Sequence, residues 1–247
     1  MKIALISRGR TYSTAIGTSL AHLNNLEYFG ETYFKVHHDL LRYLYYRPKF
    51  DKNKAFTKFY QKLEEHTHST LINNDFLIKF FPSMLYMPPL LMYENDTFDT
   101  IKQHTIFNLD IIKVTEYNKI YFLDRQFHDS IISWVYCNKS LNWHQTKINP
   151  KKYDQIFLGK EDFAIAKFYI VEYFLQQKMR EYLNNKNIPY TYVDESNYDQ
   201  YIDNSILSTS QTKINYKDYI TNIKELDVFI NYWYPIIEKE TKNWFFY

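Results

Sequence analysis

The sequence predicts a three-layer α/β fold, a central parallel sheet flanked by helices. Short apolar runs recur along the 247 residues, each followed by a polar or proline-marked segment. Between them lie stretches whose apolar residues fall at helical spacings. Strands that alternate with helices join as parallel neighbours through right-handed crossovers. No internal repeat, low-complexity tract or linker interrupts the pattern, so residues 1–247 read as a single domain.

The elements follow in order. "KIALI" (2–6) is a buried strand, and "STAIGTSLAHLN" (13–24) is a helix with Ala15, Ile16, Leu20 and Leu23 at helical spacings. Residues 34–68 are mostly helical, interrupted around Pro48, with Phe56, Phe59, Tyr60 and Leu63 on one face. "DFLIKFF" (75–81) is the second strand, closed by Pro82, and 97–113 an amphipathic helix. "KIYFLD" (119–124) is the third strand, followed at once by a helix over 128–141. One long helix spans 162–185, "IPYTYVD" (188–194) is the fourth strand, and a last helix covers roughly 216–231.

Composition excludes several classes. Thirty basic against 28 acidic residues leave a net charge of +2, too balanced for a nucleic-acid or membrane-surface protein. The lone Cys137 excludes an internal disulfide and a cysteine-based zinc site. "MKIALISRGR" is too short for a signal-peptide core, and no run reaches membrane-spanning length, which predicts a cytoplasmic protein. Tyr 25 and Phe 19 are high but follow no period, so they define no stacking platform.

A parallel sheet binds ligands beyond the carboxyl ends of its strands. The first such junction carries Arg8, Gly9, Arg10, Thr11, Tyr12, Ser13 and Thr14. Helix N-terminal N–H groups, hydroxyls and positive charge suit a phosphate or sulfate. An ordinary cap by Ser13 or Thr14 is the other reading, worth about 1 kcal/mol. No Gly-Lys pair follows Gly9 and no G-x-G-x-x-G occurs, which argues against the usual ATP or GTP hydrolysis and dinucleotide loops.

The second junction, "FLDRQFHDSIISW", places Arg125 at a strand end and Ser133 eight residues later. With "RTYST" (10–14) before it, the chain resembles the sulfotransferases that use 3′-phosphoadenosine 5′-phosphosulfate (PAPS). It is most similar to the bacterial branch that includes trehalose and glycolipid sulfotransferases. "LEYFGE" matches that branch's E-[YF]-F at Glu27, "LIKFF" resembles its strand around Lys79, and "PYTYVDES" its strand from Pro189. These matches keep the family's order over residues 2–200. Two departures stand out: Tyr12 replaces the loop glycine, and Glu27 follows the loop a few residues sooner than in the branch.

The resemblance implies a P-loop-like fold and sulfuryl transfer from PAPS to a hydroxyl acceptor, a carbohydrate or glycolipid, with no metal. It assigns Arg10 and the loop to the 5′-phosphosulfate, Arg125 and Ser133 to the 3′-phosphate, and Glu27 to the acceptor's proton. His37 and His38 are rival bases. Lys79 either neutralises the sulfuryl oxygens or is a plain edge-strand lysine, and His128, Trp134 and Trp143 are packing or surface residues. Relatives in the branch include dimers, which leaves a homodimer open. Two other readings stand beside this one: a P-loop-like nucleotide kinase or phosphotransferase, and a non-catalytic nucleotide-binding module of the same fold. The kinase would need a loop lysine and metal-holding carboxylates, and "RTYST" has neither.

Overall fold

Five short strands lie side by side: β1 (Lys2–Ile6), β2 (Glu27–Gly30), β3 (Phe76–Phe80), β4 (Lys119–Leu123) and β5 (Thr191–Val193). Their order is β2-β3-β1-β4-β5, and every neighbouring pair is parallel. Among the described residues five helices accompany them: α1 (Ser13–Leu23), α2 (Lys52–Leu71), α3 (Phe127–Ser140), α4 (Lys160–Asn185) and α5 (Ile223–Thr241). This computed structural model describes residues 1–9, 12–31, 52–73, 75–82, 113–140, 154–203, 205 and 215–242. Among the described residues no helix is long and apolar enough to cross a membrane.

Strand alternation divides the core into two layers. Ile3 and Leu5 of β1, Leu77 of β3 and Leu123 of β4 meet Ile16, Leu20 and Ala21 of α1 on one face. Ala4 and Ile6, with Ile78 and Phe122, face the opposite way onto residues of α2, α3, α4 and α5. The three-layer α/β expectation is therefore met, and each face has its own reason. From β1 the chain crosses leftward past β3 to β2, so a right-handed crossover puts α1 on one face. From β4 it moves rightward to β5, which puts α3 and α4 on the other. Between the carboxyl ends of β1 and β4 the connections part, the kind of switch point at which open α/β sheets take their ligands.

β1, β3 and β4 match the expected strands to within a residue at either end. β5 is shorter than 188–194, since Pro189 has no N–H for a ladder. A fifth strand was not expected: β2 is four residues long on the sheet edge, too short and too polar at Glu27 to show an apolar run. The last helix starts later than 216 and runs further than 231. Residues 216–219 form a 3₁₀ turn, and Asn222 fixes the helix start by accepting the Leu158 N–H at 2.9 Å and donating to the Leu158 carbonyl at 3.1 Å. Residues 34–51 and most of the expected 97–113 helix lie outside the described residues.

Candidate functional site

The first strand ends in a buried hydroxyl and a buried cation. Ser7 continues the alternation of Ile3 and Leu5, which points it to the α1 face. It is fully enclosed, and its Oγ has no hydrogen-bond partner among the described residues. Such an orphaned hydroxyl costs about 1–3 kcal/mol.

Arg8 is 0% exposed and its guanidinium points into the protein. Nε donates to Gln176, Nη1 to Ser130 Oγ at 3.0 Å, and Nη2 to Asp124 Oδ1 at 2.5 Å and to the Arg125 carbonyl at 2.9 Å. The Tyr173 ring lies 4.8 Å from Cζ. Asp124 is equally committed, for its other oxygen accepts from Gln177 and Tyr192. The expectation that Arg8 holds a ligand anion is corrected by this geometry. Arg8 is a strut that ties the ends of β1 and β4 to α3 and α4. Gly9 is needed for packing: a Cβ there would stand 1.9 Å from the Trp134 ring, and Tyr169 donates its hydroxyl to the Gly9 carbonyl. Trp134 is thus a packing residue, as expected.

Arg10 and Thr11 lie outside the described residues, and so do His37, His38 and Trp143. The loop resumes at Tyr12, the cap residue of α1, with φ 58° in the left-handed region and no side-chain cap bond. The backbone at this position has the conformation that glycine favours. The Tyr12 ring stacks on Tyr198 at 4.6 Å, and the Arg125 guanidinium lies 5.2 Å from it. Ser13 and Thr14 are the first two helical residues and neither is the cap residue. The N–H groups of this first turn have no intrahelical acceptor and form a fixed partial positive charge at the start of α1.

Lys79 is the functional group that the topology delivers to that turn. It pairs in register with Leu5 on the α1 face and is 2% exposed. β3 lies between β2 and β1, so the edge-strand reading of Lys79 falls. Its Nζ donates to Thr14 Oγ1 at 3.1 Å and pairs with Glu31 Oε1 at 2.5 Å. Burial holds its pKa below the ordinary lysine value, against the opposing pull of Glu31. Tyr28 packs its phenol against Gly17 of α1. Its unpartnered hydroxyl is pushed to a high pKa by burial and by the Glu31 charge.

Glu27 is not part of this cluster. It is the exposed first residue of β2, paired with Phe76 at the amino end of the sheet. Glu31 follows the last residue of the same strand, at the carboxyl end. Sequence reasoning missed Glu31, which lies four residues beyond Glu27 and carries no motif of its own.

Arg125 is 9% exposed, and its Nε donates to Glu195 Oε1 at 3.2 Å. Its backbone N–H, not its side chain, bonds Asp124. Ser133 is 0% exposed and lies on the buried face of α3 with Ser130. Arg125 thus sits beside the Tyr12 ring at the start of α1. Among the described residues no group of three or more His, Cys, Asp or Glu side chains converges to hold a metal.

Comparison with protein-family models, with curated proteins and with solved structures finds no match for the chain.

Proposed function

We propose that this chain is a sulfotransferase that moves a sulfuryl group from PAPS to a hydroxyl of a carbohydrate or glycolipid. One observation carries the reading: the uncapped N-terminus of α1, the Lys79 ammonium and the Glu31 carboxylate meet at the carboxyl end of the central strands. A transfer between two oxygens needs alignment, charge neutralisation and a base. This cluster supplies a candidate for each.

PAPS supplies the sulfuryl group and departs as adenosine 3′,5′-bisphosphate. The N–H groups of residues 13–15 and Thr14 Oγ1 hold its 5′-phosphate oxygens, and Lys79 stabilises the negative charge that grows there as the group leaves. Arg125, which shares the Tyr12 ring with this end of α1, takes the 3′-phosphate. Glu31, with a side chain 37% exposed, takes the acceptor's proton. This corrects the assignment of that role to Glu27.

The test is thermal unfolding with adenosine 3′,5′-bisphosphate against AMP, ADP and ATP, with and without magnesium. Ligand at about 100 times its dissociation constant adds about 2.7 kcal/mol, a midpoint shift of roughly 5–10 °C for this size of chain. A magnesium-independent shift with the bisphosphate, lost in Lys79→Met and in Arg125→Ala, supports the reading. A shift with ATP and magnesium alone makes the site a kinase-type one and sinks it.

A further inference from the structure

Arg125 is held by a carboxylate whose origin matters. Glu195 belongs to no helix or strand; it sits in the turn that follows β5. That turn is locked by its own polar groups. Asp194 Oδ1 accepts from the Ser196 N–H at 2.9 Å and from its hydroxyl at 2.5 Å. Asn197 Oδ1 accepts the Asp194 N–H at 2.9 Å, and its amide donates to the Tyr192 carbonyl. Glu195 is therefore presented at a fixed place, with a side chain 20% exposed against the 7% of Arg125.

The same turn continues as a strap that reaches the start of α1. Tyr198, three residues on, stacks on Tyr12 with only 6° between the rings. The Asp203 N–H then donates to Ser19 Oγ of α1 at 2.9 Å. One short segment thus places a carboxylate on Arg125 and a ring on the cap residue of α1. Carboxylate and phosphate oxygens make the same charge-assisted contact to a guanidinium.

We propose that Glu195 is an internal counter-anion that occupies Arg125 in place of a ligand's phosphate monoester. It yields the guanidinium when that group binds and recovers it when the group leaves. The proposal rests on the reading above that Arg125 meets the second phosphate of a nucleotide. A phosphate monoester carries nearly two negative charges against the single charge of Glu195, so it displaces the carboxylate where a ribose hydroxyl does not. After displacement Glu195 stays beside the bound anion, and its repulsion speeds departure of the spent nucleotide. Glu195 is thus a positioning residue that trades affinity for turnover.

Calorimetric titration of wild type and Glu195→Gln with adenosine 3′,5′-bisphosphate and with 5′-AMP tests this. The expected result is that Glu195→Gln binds the bisphosphate about tenfold tighter, the order of an interfacial charge coupling. Its dissociation slows by the same factor, and AMP affinity stays within about twofold. Glu195→Asp returns the wild-type value, Arg125→Ala abolishes the gain, and Glu195→Ala removes the same charge should Gln disturb the turn. Unchanged or weaker bisphosphate binding in the folded variants, or equal tightening of both nucleotides, overturns the proposal and leaves the reading of the site standing. If neither wild type nor variants bind the bisphosphate, the reading of the site falls and Glu195 falls with it.

Discussion

Glu27 and Glu31 lie four residues apart in one stretch of chain and belong to opposite ends of the sheet. At about 3.3 Å per residue, roughly 13 Å of strand separates them. Only Glu31 reaches the end where Lys79 and α1 meet. Glu31→Gln should therefore lose turnover by about 10²–10⁴-fold, the range of general-base catalysis, while it keeps adenosine 3′,5′-bisphosphate affinity. Glu27→Gln should leave both unchanged. Single-turnover kinetics beside calorimetry checks this, and equal losses in the two variants would sink the assignment. The residue types of the site were legible in the sequence; their directions were not. "SRGR" marks a cationic strand end, but nothing in it says that Arg8 turns inward. That direction is set by Asp124, Ser130 and Gln176, which lie 116, 122 and 168 positions away.

At the scale of elements, apolar runs made β1, β3 and β4 legible, because strands covered on both faces have no polar side to disguise them. β2 escaped notice as an edge strand of four residues that carries Glu27 and ends in Gly30. The start of α1 carries a tyrosine where the backbone favours glycine. Tyr12 keeps a left-handed backbone at φ 58°, which costs a non-glycine residue about 1–2 kcal/mol. Stacking on Tyr198 returns about 0.5–1.5 kcal/mol. Tyr12→Ala keeps the strain and loses the stack, whereas Tyr12→Gly loses both. Glycine should therefore be the more stable of the two variants by about 1 kcal/mol, read from denaturant midpoints. Equal stability would mean that the left-handed turn is not what the chain tolerates there.

Across the whole molecule, an aromatic-rich fold makes alkaline pH its weak side. Burial raises the pKa of Tyr28, Tyr121, Tyr169 and Tyr173, and it pushes Tyr192 and Tyr234 up to about 12. Each of these phenols binds its proton more tightly folded than unfolded. Their contribution to stability is complete below the ordinary phenol value of about 10 and is lost as pH rises through the folded values. Lys79 runs the other way. Its amine binds a proton less tightly folded, so the penalty for burying its charge fades as pH climbs from the folded value toward about 10.4. Stability should hold or rise slightly through mildly alkaline pH and then fall steeply above about 10. Denaturant midpoints across this range, with tyrosinate absorbance followed in parallel, check both limbs. The buried phenols should titrate only as the fold opens, and Lys79→Met should flatten the rising limb while leaving the fall in place. A fall that begins below the ordinary phenol value would assign the alkaline limit to something other than these rings.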